Sequence, residues 1–235
     1  MRKMQTFRFT LLELLIVISV IAILCSLLLP ALSKAKHKVE GTACTNNCKQ
    51  ISLALNQYSG DFDDWLLPGT FPYIAYWSGV SSANRPWFEA LGNFGPYSQL
   101  DYGIRICSLG NNYYSINNTY HPTGARILCP SQKVDNLFSY SDYAINQRLF
   151  GIIGTYSTHK ITQITQPSIA KVVFDNGRTN DHGVSYISDP AAYISFRHDN
   201  KTNVLYADGH VNMKSFQDLT SLGSHNGVTE LLEGF

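Results

Sequence analysis

One apolar run near the N-terminus limits what this chain can fold into. The run extends from Phe9 to Leu29, 21 residues that contain a single charged side chain, Glu13. A helix needs about 20 apolar residues to cross the hydrocarbon core of a bilayer, whereas the apolar part of a secretory signal usually has only about 7 to 15. The length of the run therefore predicts a transmembrane helix over residues 9–29.

The rest of the chain has the composition of a folded protein. The whole sequence of 235 residues is 44% hydrophobic and 15% charged, with a formal net charge of +1. Such a chain is not typical of long disorder, and its balanced charge gives no reason to expect nucleic acid as a partner. Because no phosphate loop, G-x-S-x-G or H-E-x-x-H motif is present, we predict neither an enzyme nor a cofactor.

The apolar run continues into a predicted helical stem over residues 30–60. Pro30 lacks a backbone N–H and clashes with the preceding turn, so we expect it to kink the helix there. Beyond it, apolar residues recur at spacings of three and four, at Leu32, Ala35, Val39 and Ala43. This stem is expected to support one extracytoplasmic domain over residues 61–235.

The charges that flank the apolar run do not fix its orientation. Three Lys or Arg residues lie on each side: Arg2, Lys3 and Arg8 before it, and Lys34, Lys36 and Lys38 after it. The cysteines favour an N-terminus in the cytoplasm, because they would then lie in an oxidising compartment. Four of them are disulfide candidates, in any of three pairings: Cys44, Cys48, Cys107 and Cys129. Since Cys44 and Cys48 do not form a C-x-x-C motif, no zinc site is predicted at the cysteines.

Glu13 is an energetically unfavourable residue inside an apolar run. A carboxylate inside a membrane costs about 2.5 to 3.5 kcal/mol, and such residues usually have a partner. One interpretation places Glu13 near the cytoplasmic edge, where it reaches water. The other supplies a partner by cleavage before Phe9, because the new α-amine of a neighbouring subunit could face Glu13.

The C-terminal third predicts an antiparallel sheet. Segments 170–175 and 203–207 each contain at least three consecutive apolar residues and are typical of strands, and a third short strand is expected at residues 210–213. Asp208 and Gly209 separate the last two, which favours a hairpin with a type I′ turn. With this sheet packed on the stem helix, the fold class is α+β.

His198 and Asp208 are separated by nine residues, and a turn near Lys201 could bring them together. We expect either a hydrogen bond between them that stabilises the hairpin or an Asp208 that caps its own turn. A metal site that uses His198, Asp208 and His210 is an alternative with suitable ligand types. Catalysis is a third and weaker interpretation.

The short basic leader followed by F-T-L-L-E resembles the processing site of type IV prepilins and type II secretion pseudopilins. In that family a membrane prepilin peptidase cuts before the Phe and N-methylates it, and the Glu four residues later guides filament assembly. The resemblance implies a leader over residues 1–8, cleavage between Arg8 and Phe9, and an assembly role for Glu13. Pro30 also matches a helix-bending proline of those stems. The family usually has Gly before the cut, where this chain has Arg8.

The segment 196–213 resembles a second family feature, the processing-associated H-x(9)-D-G domain that accompanies prepilin-like leaders. The matching residues are F-R-H ending at His198, then Asp208 and Gly209, with C-P-S beginning at Cys129. Together the resemblances imply a pilin-like fold and a structural or accessory subunit of a pseudopilus or pilus-like filament in the bacterial inner membrane. Its partners would be prepilin peptidase and other pilin-like subunits. The alternative is a membrane-tethered binding module, for polysaccharide or metal, that does not polymerise.

Overall fold

A computed structural model describes residues 10–71, 85–91, 102–104, 113–116, 119–122, 127–131, 141–152, 156–177, 183–184 and 193–220. The predicted leader and cleavage site at Arg8 and Phe9, together with Cys107, lie outside the described residues. The chain divides into two compact units, residues 1–39 and residues 40–235.

A single helix, α1 (Leu11–Asp61), extends for 51 residues and contributes to both units. In the part of the chain that the structure describes, α1 is the helix long and apolar enough to cross a membrane. Its large apolar side chains from Leu11 to Leu29 are between 49% and 87% exposed. Pro30 lies inside α1 and does not end it. The first unit therefore presents an apolar surface of the kind that a bilayer covers.

The second unit contains a five-stranded sheet made of β5 (Tyr143–Asn146), β6 (Lys171–Asp175), β7 (Gly183–Val184), β8 (Lys201–Tyr206) and β9 (Val211–Ser215). The spatial order of these strands is β7-β5-β6-β8-β9. All pairs are antiparallel except β5 with β7. The predicted α+β class is thus confirmed, as are the strands expected near residues 170–175 and 203–207.

Shorter elements surround this sheet. Two small ladders pair β1 (Thr70–Phe71) with β2 (Arg85–Pro86) and β3 (Tyr113–Ile116) with β4 (Thr119–Pro122). The described residues also form the helices α2 (Trp87–Leu91), α3 (Gln147–Phe150) and α4 (Phe216–Thr220) and a 3₁₀ turn at Ile161–Gln163.

The last third of α1 forms one wall of the core. Its buried apolar residues recur every three or four positions, which places them on one face of the helix: Cys44, Cys48, Ile51, Ala54, Leu55 and Tyr58. They share a core cluster with residues of the sheet such as Val173 and Leu205. Burying a side chain of the size of Ile51 contributes about 1.5–3 kcal/mol. Packing with the sheet therefore holds this part of the helix in place.

The turn expected near Lys201 is present, and it has the type I′ geometry that was predicted for Asp208 and Gly209 instead. Asp199 and Asn200 have φ of 50° and 59°, the pair of left-handed residues that a type I′ turn requires, and the turn is closed by hydrogen bonds between His198 and Lys201. The prediction of such a turn at Asp208 and Gly209 is wrong. Only Gly209 has positive φ there, at 86°.

The loop between β8 and β9 belongs to a different class. The Gly209 N–H donates to the carbonyl of Tyr206, and the Tyr206 N–H donates to the carbonyl of His210. This is the pattern of a three-residue hairpin loop, in which a type I turn is followed by one left-handed glycine. A hairpin does join β8 to β9, so the pairing was predicted correctly and the turn type was not.

Candidate functional site

The first candidate site is the N-terminus of α1. Glu13 Oε2 accepts hydrogen bonds from the backbone N–H of Thr10 at 2.8 Å and from its hydroxyl at 2.9 Å. In return, the Glu13 N–H donates to Thr10 Oγ1 at 3.2 Å. This reciprocal arrangement is a capping box, which satisfies backbone donors that the first helical turn leaves without partners.

The capping box changes the interpretation of Glu13. Both interpretations of Glu13 sought its partner in water or in a neighbouring subunit, whereas Thr10 of the same chain donates two hydrogen bonds to the carboxylate. The sequence carried this signal, since T-x-x-E before an apolar run is a recognised N-terminal pattern. Glu13 therefore has a structural role that is independent of any neighbouring subunit.

The second candidate site is buried in the domain, where three segments meet. Cys44 comes from α1, Cys129 from the segment 127–131, and His198 from the bridge that precedes β8. Ligand atoms of the three side chains lie within 4.8 Å of one another, and all three are buried. Cys129 Sγ lies 3.5 Å from His198 Nε2.

Hydrogen bonds fix the Cys129 segment in place. Asn47 on α1 donates from Nδ2 to the carbonyl of Leu128 at 2.8 Å, and the hydroxyl of Ser131 donates to Glu40 at 3.0 Å. The Cys129 N–H donates to Asp142 Oδ2 at 2.8 Å. Cys129 is therefore anchored both to α1 and to the residue before β5.

A buried ion-pair group lies beside the cysteines. Asp175, at the end of β6, is fully buried; its Oδ2 accepts from the Asn203 N–H at 2.6 Å and lies 3.7 Å from His198 Nε2. Arg197 Nη2 lies 3.8 Å from Asp175 Oδ1 and donates to the Asp142 carbonyl at 2.6 Å. Buried charges are tolerated when they are paired in this way.

Burial and neighbouring charges set the protonation of this group. Burial raises the pKa of Asp142 to about 6, although the hydrogen bond from the Cys129 N–H lowers it. Burial likewise raises the pKa of Asp175, against the opposing pull of Arg197 and His198. The hydrogen bond from Cys44 lowers the pKa of Cys129, and that from His198 acts in the same direction. The pKa of Cys44 is raised in turn by its hydrogen bond with Cys129 and by burial.

The structure separates His198 from Asp208. Asp208 is exposed and caps its own turn, where Oδ1 accepts from the His210 N–H at 3.0 Å and lies 2.6 Å from His210 Nδ1. His198 is buried and faces Cys129 and Asp175 instead. The predicted contact between His198 and Asp208 is therefore wrong, and so is the alternative metal site that adds His210. The interpretation in which Asp208 caps its turn is confirmed.

Sequence reasoning missed Asp142, Asp175 and Arg197. The available signal was modest: Asp175 directly follows the three apolar residues Val172 to Phe174, and Arg197 directly precedes His198. Of the disulfide candidates, Cys44, Cys48 and Cys129 are free thiols in the structure, and Cys107 lies outside the described residues. Comparisons with family models, curated proteins and solved structures find no match for this chain.

Proposed function

We propose that this chain is a pilin-like subunit, held in a bacterial inner membrane by the first part of α1 and processed before Phe9. One observation carries the proposal. A single helix has an exposed apolar N-terminal part and a C-terminal part that forms one wall of a small α+β domain. An anchor and a core element joined in one helix are what a subunit needs if its stem is to pack against the stems of other subunits.

The sequence motif adds to this argument. The run F-T-L-L-E after a basic leader gives the cleavage site between Arg8 and Phe9, with methylation of the new N-terminus by prepilin peptidase. The domain after the anchor would then lie outside the cytoplasm, with the N-terminus inside. If each stem contacts the next through a rotation that does not close into a ring, the subunits assemble into a helical filament of like or related subunits.

N-terminal analysis of protein extracted from membranes tests the processing. We expect an N-methylated Phe9 in a host that has prepilin peptidase, and an intact Met1 terminus in a peptidase-deficient host. An intact Met1 in both hosts would contradict the proposal. Arg8→Gly is the matched variant, because it restores the residue that the family usually has; its processed fraction should equal or exceed that of the wild type.

Two substitutions of Glu13 distinguish a role in filament assembly from a role in helix capping. Gln can replace Glu in a capping box, so Glu13→Gln keeps the interaction with Thr10 and removes only the charge. If the carboxylate pairs with the amine of a neighbouring subunit, both Glu13→Gln and Glu13→Ala should insert in the membrane and fail to enter filaments. Normal filament incorporation of Glu13→Gln would show that Glu13 serves only as a cap.

Crosslinking distinguishes a filament subunit from a tethered binding module. Cysteines replace Lys34 or Val39, which are exposed on α1, in a Cys25→Ala background. We expect multimers after mild oxidation in membranes, and monomers in the same background without the added cysteine. Processed protein that stays monomeric at both positions would favour the tethered module.

A further inference from the structure

Two buried cysteines from distant parts of the chain lie side by side. Cys44 and Cys129 both have no exposed surface, and their sulfur atoms lie within 4.8 Å of each other. A disulfide has a sulfur–sulfur distance of about 2.05 Å, so the two atoms have to approach by at most about 3 Å. Rotation about the two Cα–Cβ bonds can supply a movement of that size.

The other described cysteines are less favourably placed for a disulfide with Cys129. Cys48 is also fully buried and lies one helical turn from Cys44, but it does not belong to the cluster that contains Cys129. Cys25 lies in the exposed apolar part of α1. The described residues therefore select Cys44 as the partner of Cys129.

Binding of a metal ion is the alternative role for the same cluster of side chains. Structural zinc sites have four ligands, whereas the described cluster supplies three, Cys44, Cys129 and His198. A histidine that binds metal through one ring nitrogen nearly always donates from the other, yet the buried Nδ1 of His198 has no hydrogen-bond partner. Asp175 Oδ2, 3.7 Å from His198 Nε2, already accepts hydrogen bonds from Asn203. The geometry therefore fits a thiol pair better than a metal centre.

We propose that Cys44 and Cys129 form a disulfide that fixes α1 to the segment 127–131 in the exported protein. This inference rests on the proposed function in one respect, the extracytoplasmic location of the domain. The link would close a loop across 84 intervening residues. Constraining a loop of that size in the unfolded chain stabilises the folded state.

The chemistry needs an oxidant of the disulfide class, such as an extracytoplasmic dithiol oxidase. The Cys129 thiolate attacks one sulfur of the oxidant disulfide and releases its other sulfur as a thiolate. The Cys44 thiol then loses its proton and attacks Cys129 Sγ, which releases the second thiolate of the oxidant. Two electrons pass to the oxidant, and the two thiol protons go to solvent and to the released sulfurs. Because both cysteines are fully buried, the reaction has to precede closure of the core.

Peptide mapping of the full-length chain tests the pairing. The protein is extracted from membranes in denaturant with iodoacetamide, digested without reduction and analysed by mass spectrometry. We expect a peptide that joins Cys44 to Cys129, and the same peptide in equal yield from Cys48→Ala. Alkylation of both Cys44 and Cys129 in the exported protein, with or without bound zinc, would overturn the inference. A link from Cys48 to Cys129 would overturn it as well.

Thermal unfolding supplies a second readout. A reductant present during unfolding should lower the Tm of the wild type and of Cys48→Ala by roughly 10 °C. It should leave the Tm of the double variant Cys44→Ala/Cys129→Ala unchanged. An equal response of all three proteins would count against the disulfide.

The same digest reports the N-terminus, so the two proposals can fail separately. An N-methylated Phe9 together with free Cys44 and Cys129 overturns the disulfide and supports processing. An intact leader together with the Cys44–Cys129 peptide overturns processing and supports the disulfide. An intact leader with both thiols free contradicts both.

Discussion

His198 Nε2 lies 3.7 Å from Asp175 Oδ2 in the interior of the domain. The aspartate is contributed by β6 and the histidine by the bridge before β8, so the pair connects two neighbouring parts of the sheet. Asp208, the acidic residue of the H-x(9)-D-G segment, lies on the surface with His210. The two acidic residues should therefore respond very differently to substitution.

Asp175→Asn is expected to destabilise the protein by about 3–5 kcal/mol. The substitution leaves Arg197 and His198 buried without their counter-charge, which is costly in a low-dielectric interior. Denaturant unfolding of the full chain in detergent measures the change. Asp208→Asn is the matched control and should cost about 1 kcal/mol or less, because its contact with His210 is exposed. Equal effects of the two substitutions would contradict the assignment of Asp175 as the buried partner.

Asp142 predicts a pH dependence of stability. Burial raises its folded-state pKa from 3.8 to about 6. The folded protein binds the Asp142 proton more tightly than the unfolded chain does. The contribution of this proton to the free energy of unfolding is therefore complete below about pH 3.8 and is lost as the pH rises through 6. Asp142→Asn removes this titration while His198 and Asp175 titrate in both proteins. As the pH rises through this range, the free energy of unfolding of the variant should increase relative to that of the wild type by up to about 3 kcal/mol.

Unfolding curves between pH 4 and pH 7, in steps of about half a unit, test this difference. The comparison depends on the change with pH and not on the absolute stability of either protein. Parallel curves for wild type and Asp142→Asn would show that the carboxyl is not protonated in the folded state near pH 5.

Gly41 lies on α1 where the helix meets β9. A Cβ at this position would approach the methyl carbon of Met213 to 2.9 Å. Because a methionine methyl is the end of a flexible chain, it can move, and Ala gains about 1 kcal/mol over Gly in a helix. We expect Gly41→Ala to change stability by less than about 1 kcal/mol and Gly41→Leu to lose about 1–3 kcal/mol by overpacking. If Gly41→Leu caused no loss of stability in a denaturant titration, the interface between α1 and β9 would be loosely packed.

Gly209 should be sensitive to any side chain. Its φ of 86° is strained for other residues, and a Cβ would lie 3.1 Å from Ser52 Oγ. We expect Gly209→Ala to cost about 1–2 kcal/mol. Gly60→Ala is the control, since Gly60 is helical and a Cβ there meets nothing within 4 Å. It should stabilise the protein by up to about 1 kcal/mol, and a similar loss at both positions would contradict the turn assignment.

The elements that could be predicted from the sequence are those with a local pattern. The apolar run and its spacing indicated α1, and β6 could be predicted because it contains three consecutive apolar residues, Val172 to Phe174. The buried cluster was not visible, because it collects residues from α1, from the segment 127–131 and from the bridge before β8. No local spacing records which of those segments become neighbours.

Two errors arose where several sequence patterns compete. Asp-Gly between two apolar runs favours a type I′ turn, but the hairpin loop has an additional residue and needs only one left-handed glycine. The type I′ geometry occurs at Asp199 and Asn200, two residues whose short polar side chains tolerate positive φ. Glu13 was considered only as a charge in a membrane, although its spacing from Thr10 also fits a capping box.

The hydrogen bond from Thr45 Oγ1 to Asn203 Oδ1, at 2.8 Å, joins residues that are 158 positions apart. During synthesis, the buried face of α1 emerges before its partner strand β8. Until β8 has left the ribosome, this face of α1 lacks the strand that it packs against. Contacts of such long range make folding slow and leave the nascent chain prone to aggregation, so the last turns of α1 gain their packing only after a strand that is synthesised much later.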